Sequence, residues 1–319
     1  MIDSGSAMAT DQDDSKPFRI LSLDGGGVRG VFSAKILELI EKKLGIKINQ
    51  HFDLIVGTST GSISAAAVAT DYDLDQLVQQ YTEMSKEVFP PQGISRCWKG
   101  LFSSQYKTEP LENFLKDAFG EIRMGQIDRP LILNATNVTK RKVHLFKSRY
   151  QEGLRRGDYV RDGDVPLYRA VLASCAAPLY FDPVEIDSNT LVCDGGVWAN
   201  NPALVGYVDA ISNFKRDPAD IKILSIGTGT PEQDYASSQS WGFCSGWKGR
   251  QLVDFLMRCQ TDFPTNCLQL LNPGNIFRIN PPINSAYALD FPKAVPTLIS
   301  TADSEFTDQS QDINKFLGG

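Results

Sequence analysis

Histidine is nearly absent: the 319-residue chain has two, His51 and His144. That scarcity leaves little material for chemistry that relies on an imidazole. Cysteine is sparse too, and the six (97, 175, 193, 244, 259 and 267) form no C-x-x-C pair and show no metal-ligand spacing. Cys175 and Cys193 lie in apolar runs, as small core residues do, and this usage suits a reducing cytosol better than a disulfide framework. An excess of positive charge is missing. The net charge of −6 excludes an electrostatic footprint for nucleic acid and argues against docking on anionic lipid by charge alone, so any membrane contact has to be apolar. No run approaches the roughly 18 apolar residues of a spanning helix. The N-terminus lacks the basic and hydrophobic regions of a signal peptide, and no internal repeat is visible.

What is present, 42% hydrophobic and 22% charged residues, is the composition of a soluble globular protein with a sizeable core. Residues 1–16 are small, polar and acidic and are expected to form a disordered tail. Residues 17–319 are expected to form a single α/β domain whose core has no legible end after about residue 270. Apolar runs predict strands at 18–23, 52–56, 131–136, 142–146, 190–194 and 221–226. Helical spacing predicts helices at 31–44, 71–87, 111–119, 167–176 and from about 252. Strand–helix–strand succession gives a mainly parallel sheet between helical layers. Loops at 88–106 (with Trp98) and 232–250 (with Trp241, Phe243 and Trp247) carry much apolar content for connections of their length, and 149–164 reads as a solvated loop.

Three glycine turns carry the chemistry. Gly57-Thr58-Ser59-Thr60-Gly61 follows a strand and opens a helix of small residues, the context of a nucleophile elbow. Glycines on both sides of Ser59 let backbone and helix approach closely, and the helix N-terminus favours negative charge beside the hydroxyl. The first strand runs into Asp24-Gly25-Gly26-Gly27-Val28-Arg29-Gly30. Gly25, Gly27 and Gly30 fit the dinucleotide fingerprint G-x-G-x-x-G, although no acidic residue ends the second strand, where a ribose would be held. Alternatively, the N–H groups of Gly25–Gly27 form an oxyanion hole beside Ser59. Arg29 either supports that loop, attracts a phosphate, or is a surface arginine at a helix start. The third turn, Asp194-Gly195-Gly196, again ends a strand. Asp194 is an Asx turn or, paired with an elbow serine, a base.

A serine nucleophile needs a positioned base. His51 lies eight residues before Ser59, about 25 Å away along extended chain and at the wrong end of the sheet. His144 sits mid-strand among apolar neighbours, as a satisfied histidine does. No histidine follows Asp194, so the Ser…Asp…His order of an ordinary α/β-hydrolase is excluded. What remains is Asp194 accepting the Ser59 proton directly.

The succession D-G-G-G-x-R-G, G-x-S-x-G and D-G-G at Asp24–Gly30, Gly57–Gly61 and Asp194–Gly196 resembles the patatin-like phospholipases. Flanking pieces are similar too: Ala173–Pro178, Trp198–Pro202 and Ser225–Gly229. The resemblance spans roughly residues 18–230 and implies a three-layer α/β/α fold. It also implies a Ser59–Asp194 dyad, an oxyanion loop of Gly25, Gly26, Gly27 and Arg29, and motif glycines Gly57, Gly61, Gly195 and Gly196. The implied activity is hydrolysis of fatty acyl esters of membrane phospholipids through an acyl-enzyme, without metal or organic cofactor. A narrower similarity, to soluble bacterial members that act in anti-phage defence, implies activation by a cyclic dinucleotide and control through a lid or a homo-oligomer. It also implies a cytoplasmic location, with action at the inner membrane surface. Two other function classes stand beside this: a dinucleotide-binding, non-hydrolytic protein using the Gly25–Gly30 loop, and a catalytically silent storage or scaffold protein, against which the intact motifs argue.

Overall fold

A computed structural model describes residues 16–90, 103–148, 162–231 and 250–319. The expected tail apart from Lys16, most of the 88–106 loop, the 149–164 loop up to residue 161, and the 232–250 loop up to residue 249 lie outside those residues.

The chain opens β1 (Phe18–Leu23), α1 (Gly30–Leu44), a single turn α2 (Ile48–His51), β2 (Leu54–Thr58), α3 (Thr60–Ala69) and α4 (Leu74–Val88). Then follow α5 (Glu109–Phe119), β3 (Leu131–Asn137), β4 (Lys142–Lys147), α6 (Leu167–Cys175), β5 (Val184–Asp187), β6 (Thr190–Asp194) and α7 (Ala203–Ser212). The last part holds β7 (Ile221–Ile226), β8 (Thr230–Pro231), α8 (Arg250–Leu271), β9 (Ile276–Ile279), β10 (Pro282–Ile283) and α9 (Val295–Leu317). The second strand lies two residues later than its apolar run suggests, because Phe52 caps the α2 turn and the ladder needs Thr58.

Five strands run parallel in the order β3-β2-β1-β7-β9. β4 and β6 both pair antiparallel with β3, and β5 pairs antiparallel with β6. Successive residues of a strand face opposite sides, and the strands use both. Leu21, Leu23 and Ile55 point into a core closed by α1, α3, α4, α5, α6 and α9. Phe18, Ile20, Leu54 and Val56 point into a second core closed by α7 and by Leu268 of α8. The result is a three-layer α/β/α sandwich around a sheet that is parallel in its centre and antiparallel on one flank.

After residue 270, where the sequence shows no legible end to the core, the chain continues in regular elements. β9 extends the sheet beside β7, and α9 lays Leu298, Ala302, Phe306, Ile313 and Leu317 into the same core as α1. Two termini follow the signals in the sequence. Gly45 closes α1 at φ 67°, its N–H donating to Glu41 O, and the Asp73 carboxylate caps α4 by accepting from the N–H groups of Asp75 and Gln76.

Candidate active site

β2 ends at Thr58 and α3 begins at Thr60, so one residue, Ser59, makes the whole corner. It does so at φ 54° and ψ −129°, a conformation that costs a non-glycine residue on the order of 1–3 kcal/mol and persists only where surroundings enforce it. They do here. The Ser59 N–H donates to Ser174 Oγ at 3.0 Å, and Ser174 Oγ–H donates to Asn134 O at 2.6 Å. Beside it, Thr58 Oγ–H donates to Ala199 O at 2.8 Å and accepts from Asn134 Nδ2 at 3.0 Å. Both flanking glycines are required by space. A Cβ on Gly57 would lie 2.7 Å from Ser62 Cα, and one on Gly61 would lie 2.6 Å from Asp24 O and closer still to Leu23 O.

Asp194 reaches Ser59 through sheet register. Residues 132–134 of β3 pair with both β2 and β4, and residues 135–137 pair with both β4 and β6. A strand has two edges, so β2 and β6 meet end to end along the same one. Thr58 faces Asn134, and Asp194 faces the next residue, Ala135. The end of β2 and the end of β6 therefore deliver Ser59 and Asp194 to one point. The Asp194 side chain is buried. Its Oδ1 accepts the Gly196 N–H at 2.6 Å, and its Oδ2 makes no well-formed hydrogen bond among the described residues. Burial pushes its pKa up to about 6, against the opposing pull of the Ser59 hydroxyl and the Gly196 N–H. Gly195 is needed because its Cα packs against Asn134, where an added Cβ would overlap the backbone.

The glycine loop lies alongside. Gly25 comes so close that a Cβ there would be 2.9 Å from Ser59 Cβ. The Gly25 N–H donates to Asn200 O at 3.1 Å and the Gly26 N–H to Thr60 Oγ1 at 3.2 Å. The N–H groups of Gly27, at φ 59°, and of Thr60, at the start of α3, have no partner among the described residues. Arg29 is buried and its Nε donates to Gly26 O at 3.3 Å, so it holds the loop from behind. A cavity of about 240 Å³ opens beside this loop, walled by Asp24, Gly25, Arg29 and Asn200 on one side and by Met257, Arg258 and Thr261 of α8 on the other.

Over residues 21–207 the sequence matches the patatin-like phospholipase family. The chain belongs to that family. It is 34% identical over 277 residues to a cGAMP-activated phospholipase of Escherichia coli (strain TW11681), covering 80% of this chain and 76% of that one. It is 32% identical over 232 residues to a cUMP-AMP-activated phospholipase of Escherichia coli, covering 71% and 69%. Similarity extends to the mouse 85/88 kDa calcium-independent phospholipase A2, at 28% over 309 residues, covering 85% of this chain and 36% of that protein. This patatin-like phospholipase is thus a serine acyl hydrolase of lipid esters, and the fingerprint reading of Gly25–Gly30 as a dinucleotide site is not favoured. Space argues the same way. Added Cβ atoms at Gly26 and Gly27 would run into Thr228 and the Leu289 backbone, so those glycines make room for the protein's own atoms and not for a pyrophosphate.

The histidines of this phospholipase stand apart from the site. His51 ends α2 at the far end of β2. His144 is buried on β4, opposite Ala135, with Nε2 3.4 Å from Asp162 Oδ2. It lies two strand spacings, about 10 Å, from Asp194. Two supporting residues were missed from sequence. Arg278 of β9 donates to both carboxylate oxygens of buried Asp24 and to Ser225 Oγ, fixing the residue that opens the glycine loop. Asn200 Nδ2 donates to Gly25 O and to Thr261 Oγ1, tying the loop to α8. Asn200 carried a signal only as part of the Trp198–Pro202 piece that is similar to the family. Its neighbour Asn201 makes an Asx turn just before α7, its Oδ1 accepting from the Ala203 N–H at 3.0 Å. Among the described residues, no cluster of His, Cys, Asp and Glu could hold a metal, and no helix is long and apolar enough to cross a membrane.

Proposed function

We propose that this phospholipase cleaves fatty acyl esters of membrane phospholipids with Ser59 as nucleophile and Asp194 as its base. The observation carrying the proposal is the meeting of a strained elbow serine with a buried carboxylate that has one oxygen left open and a pKa raised to about 6. Ser59 Oγ attacks the ester carbonyl and its proton passes to Asp194. The oxyanion that forms is met by the N–H groups of Gly27 and Thr60, and by that of Gly26 when it releases Thr60 Oγ1. Collapse expels the lysolipid alkoxide, which takes the proton back from Asp194 and leaves an acyl group on Ser59. Water then attacks the acyl-enzyme with Asp194 as base, the proton returns to Ser59 Oγ, and fatty acid leaves. Arg29 positions the loop. No step calls for a metal or an organic cofactor.

The relatives named for activation by cGAMP or cUMP-AMP support a finer proposal. Here too a cyclic dinucleotide switches on hydrolysis, and the substrate is the cell's own membrane, met from the cytoplasmic side. A lipase free in its host's cytoplasm has to be idle until signalled, as in an anti-phage effector. A homo-oligomer is one form such control takes.

The test is fatty-acid release from mixed phospholipid vesicles by wild type, Ser59→Ala and Asp194→Asn, each with and without a panel of cyclic dinucleotides. Loss of release in both variants supports the dyad, and release that needs one nucleotide identifies the switch. A fully active Asp194→Asn overturns the dyad.

A further inference from the structure

Helix α8 turns an apolar ridge to solvent. Leu270 at 85%, Leu271 at 62% and Phe263 at 61% are the most exposed large apolar side chains among the described residues, and Leu256 is 53% exposed. They are not scattered. Leu256, Phe263 and Leu270 recur every seven residues, so they stay nearly in line along the helix. Cys259, exposed, and Cys267, half-buried, fall between them. The opposite side of the helix is buried through Met257, Pro264, Leu268 and Asn272, and the polar residues Arg258, Asp262, Asn266 and Gln269 form a strip of their own. Single exposed leucines are ordinary on a protein surface. Here four large side chains, each more than half exposed, share one helix over about 20 Å.

We propose that this ridge seats α8 in the interfacial layer of a phospholipid bilayer and so holds the phospholipase at its substrate. This rests on the phospholipase function above. A second copy of the chain is a poor occupant, because a ridge about 20 Å long and one side chain wide offers roughly 200 Å², far below the roughly 800 Å² per partner of a stable protein interface. A bilayer needs no matching shape and rewards each apolar side chain that leaves water. Charge points the same way. At a net charge of −6 attraction to anionic headgroups cannot supply the attachment. The position of the ridge matters as well. Phe255, Met257, Arg258 and Thr261 of the same helix line the cavity beside the glycine loop, so burying its outer face brings the cavity wall within one helix diameter, about 10 Å, of lipid.

The test compares wild type with the triple variant Leu256→Asp, Phe263→Asp and Leu270→Asp. The readouts are flotation with vesicles of phosphatidylethanolamine and phosphatidylglycerol, fatty-acid release from those vesicles, and hydrolysis of the water-soluble ester p-nitrophenyl butyrate. The expected result is a roughly tenfold or greater loss of flotation and a matching loss of vesicle hydrolysis. Turnover of the soluble ester and the melting temperature should stay unchanged, and wild-type flotation should resist added salt. Should the triple variant melt early, Leu270→Asp alone serves, with a several-fold loss expected, since that side chain is almost wholly in solvent. Wild-type flotation that salt abolishes, or a folded variant that floats like wild type, overturns the proposal. So does a variant that loses self-association while still floating. Flotation needs no turnover. Hydrolysis is read with the panel of cyclic dinucleotides added, and its absence in wild type with every one of them would overturn the phospholipase function and would register separately from docking.

Discussion

In the proposed dyad Asp194 must be buried to stand against Ser59 and ionised to accept its proton, and those demands oppose each other. At about 6 instead of 3.8, its ionised form costs the native state on the order of 3 kcal/mol. The sign follows from the raised pKa. The native chain binds this proton more tightly than the unfolded chain, so the contribution to stability is fully present below about pH 4 and is lost as pH rises through about 6. Activity runs the other way. We expect kcat/KM for a soluble ester to rise tenfold per pH unit up to an apparent pKa near 6 and then to level off. Asp194→Asn should abolish turnover yet melt higher than wild type at neutral pH, with the difference shrinking toward about pH 4. Equal melting curves at neutral pH would mean that the carboxylate is better solvated than its burial indicates. The elbow makes a second demand on a single residue. Gly61→Ala places a methyl group against the carbonyl oxygens of Leu23 and Asp24, backbone atoms that cannot swing aside. The substitution should cost about 2 kcal/mol or more in urea unfolding and sharply reduce turnover.

Among elements, β9 does the most that its sequence does not announce. Its Arg278 is the ionic partner of Asp24, a carboxylate that burial pushes up and Arg278 pulls back down. Arg278→Met strands that charge and should cost about 3–5 kcal/mol. Adding Asp24→Asn should recover most of the loss, and a double-mutant cycle by urea unfolding measures the coupling. Legibility divides along the same line. The elbow, the glycine loop and the Asp194 turn were readable because each is a strand end, a glycine and a polar residue within a few positions. Their meeting was readable only in part. Side-by-side parallel strands account for Ser59 beside Gly25, but Asp194 arrives on an antiparallel strand that continues an edge of β3 where β2 stops, and register between distant segments leaves no local trace. β5 is four residues with a single buried position, too short to show alternation. β9 is mostly half-buried and shows no strong apolar run. α8 runs through Pro264, a residue that usually ends a helix.

At the scale of the molecule, the last 45 residues close what the first 30 begin. β9 covers the free edge of β7, Arg278 neutralises Asp24, and Leu289 O accepts the Val28 N–H at 2.8 Å. α9 buries Leu298, Ala302, Phe306, Ile313 and Leu317 over α1. At roughly 1.5–3 kcal/mol for each buried Leu, Ile or Phe, the four large ones alone contribute about 6–12 kcal/mol, comparable with the whole stability of an ordinary domain. The three glycine-turn motifs all precede residue 200, yet the loop that opens the first of them is held by this segment. A chain ending at Gly274 should therefore show no cooperative melt and no ester turnover, although Ser59, Asp194 and every motif glycine are present. Circular dichroism melts with p-nitrophenyl butyrate assays decide it. A soluble fragment that melts cooperatively and hydrolyses ester would show that the glycine loop holds its shape without Arg278 and Leu289, and that the site is assembled by the parallel strands alone.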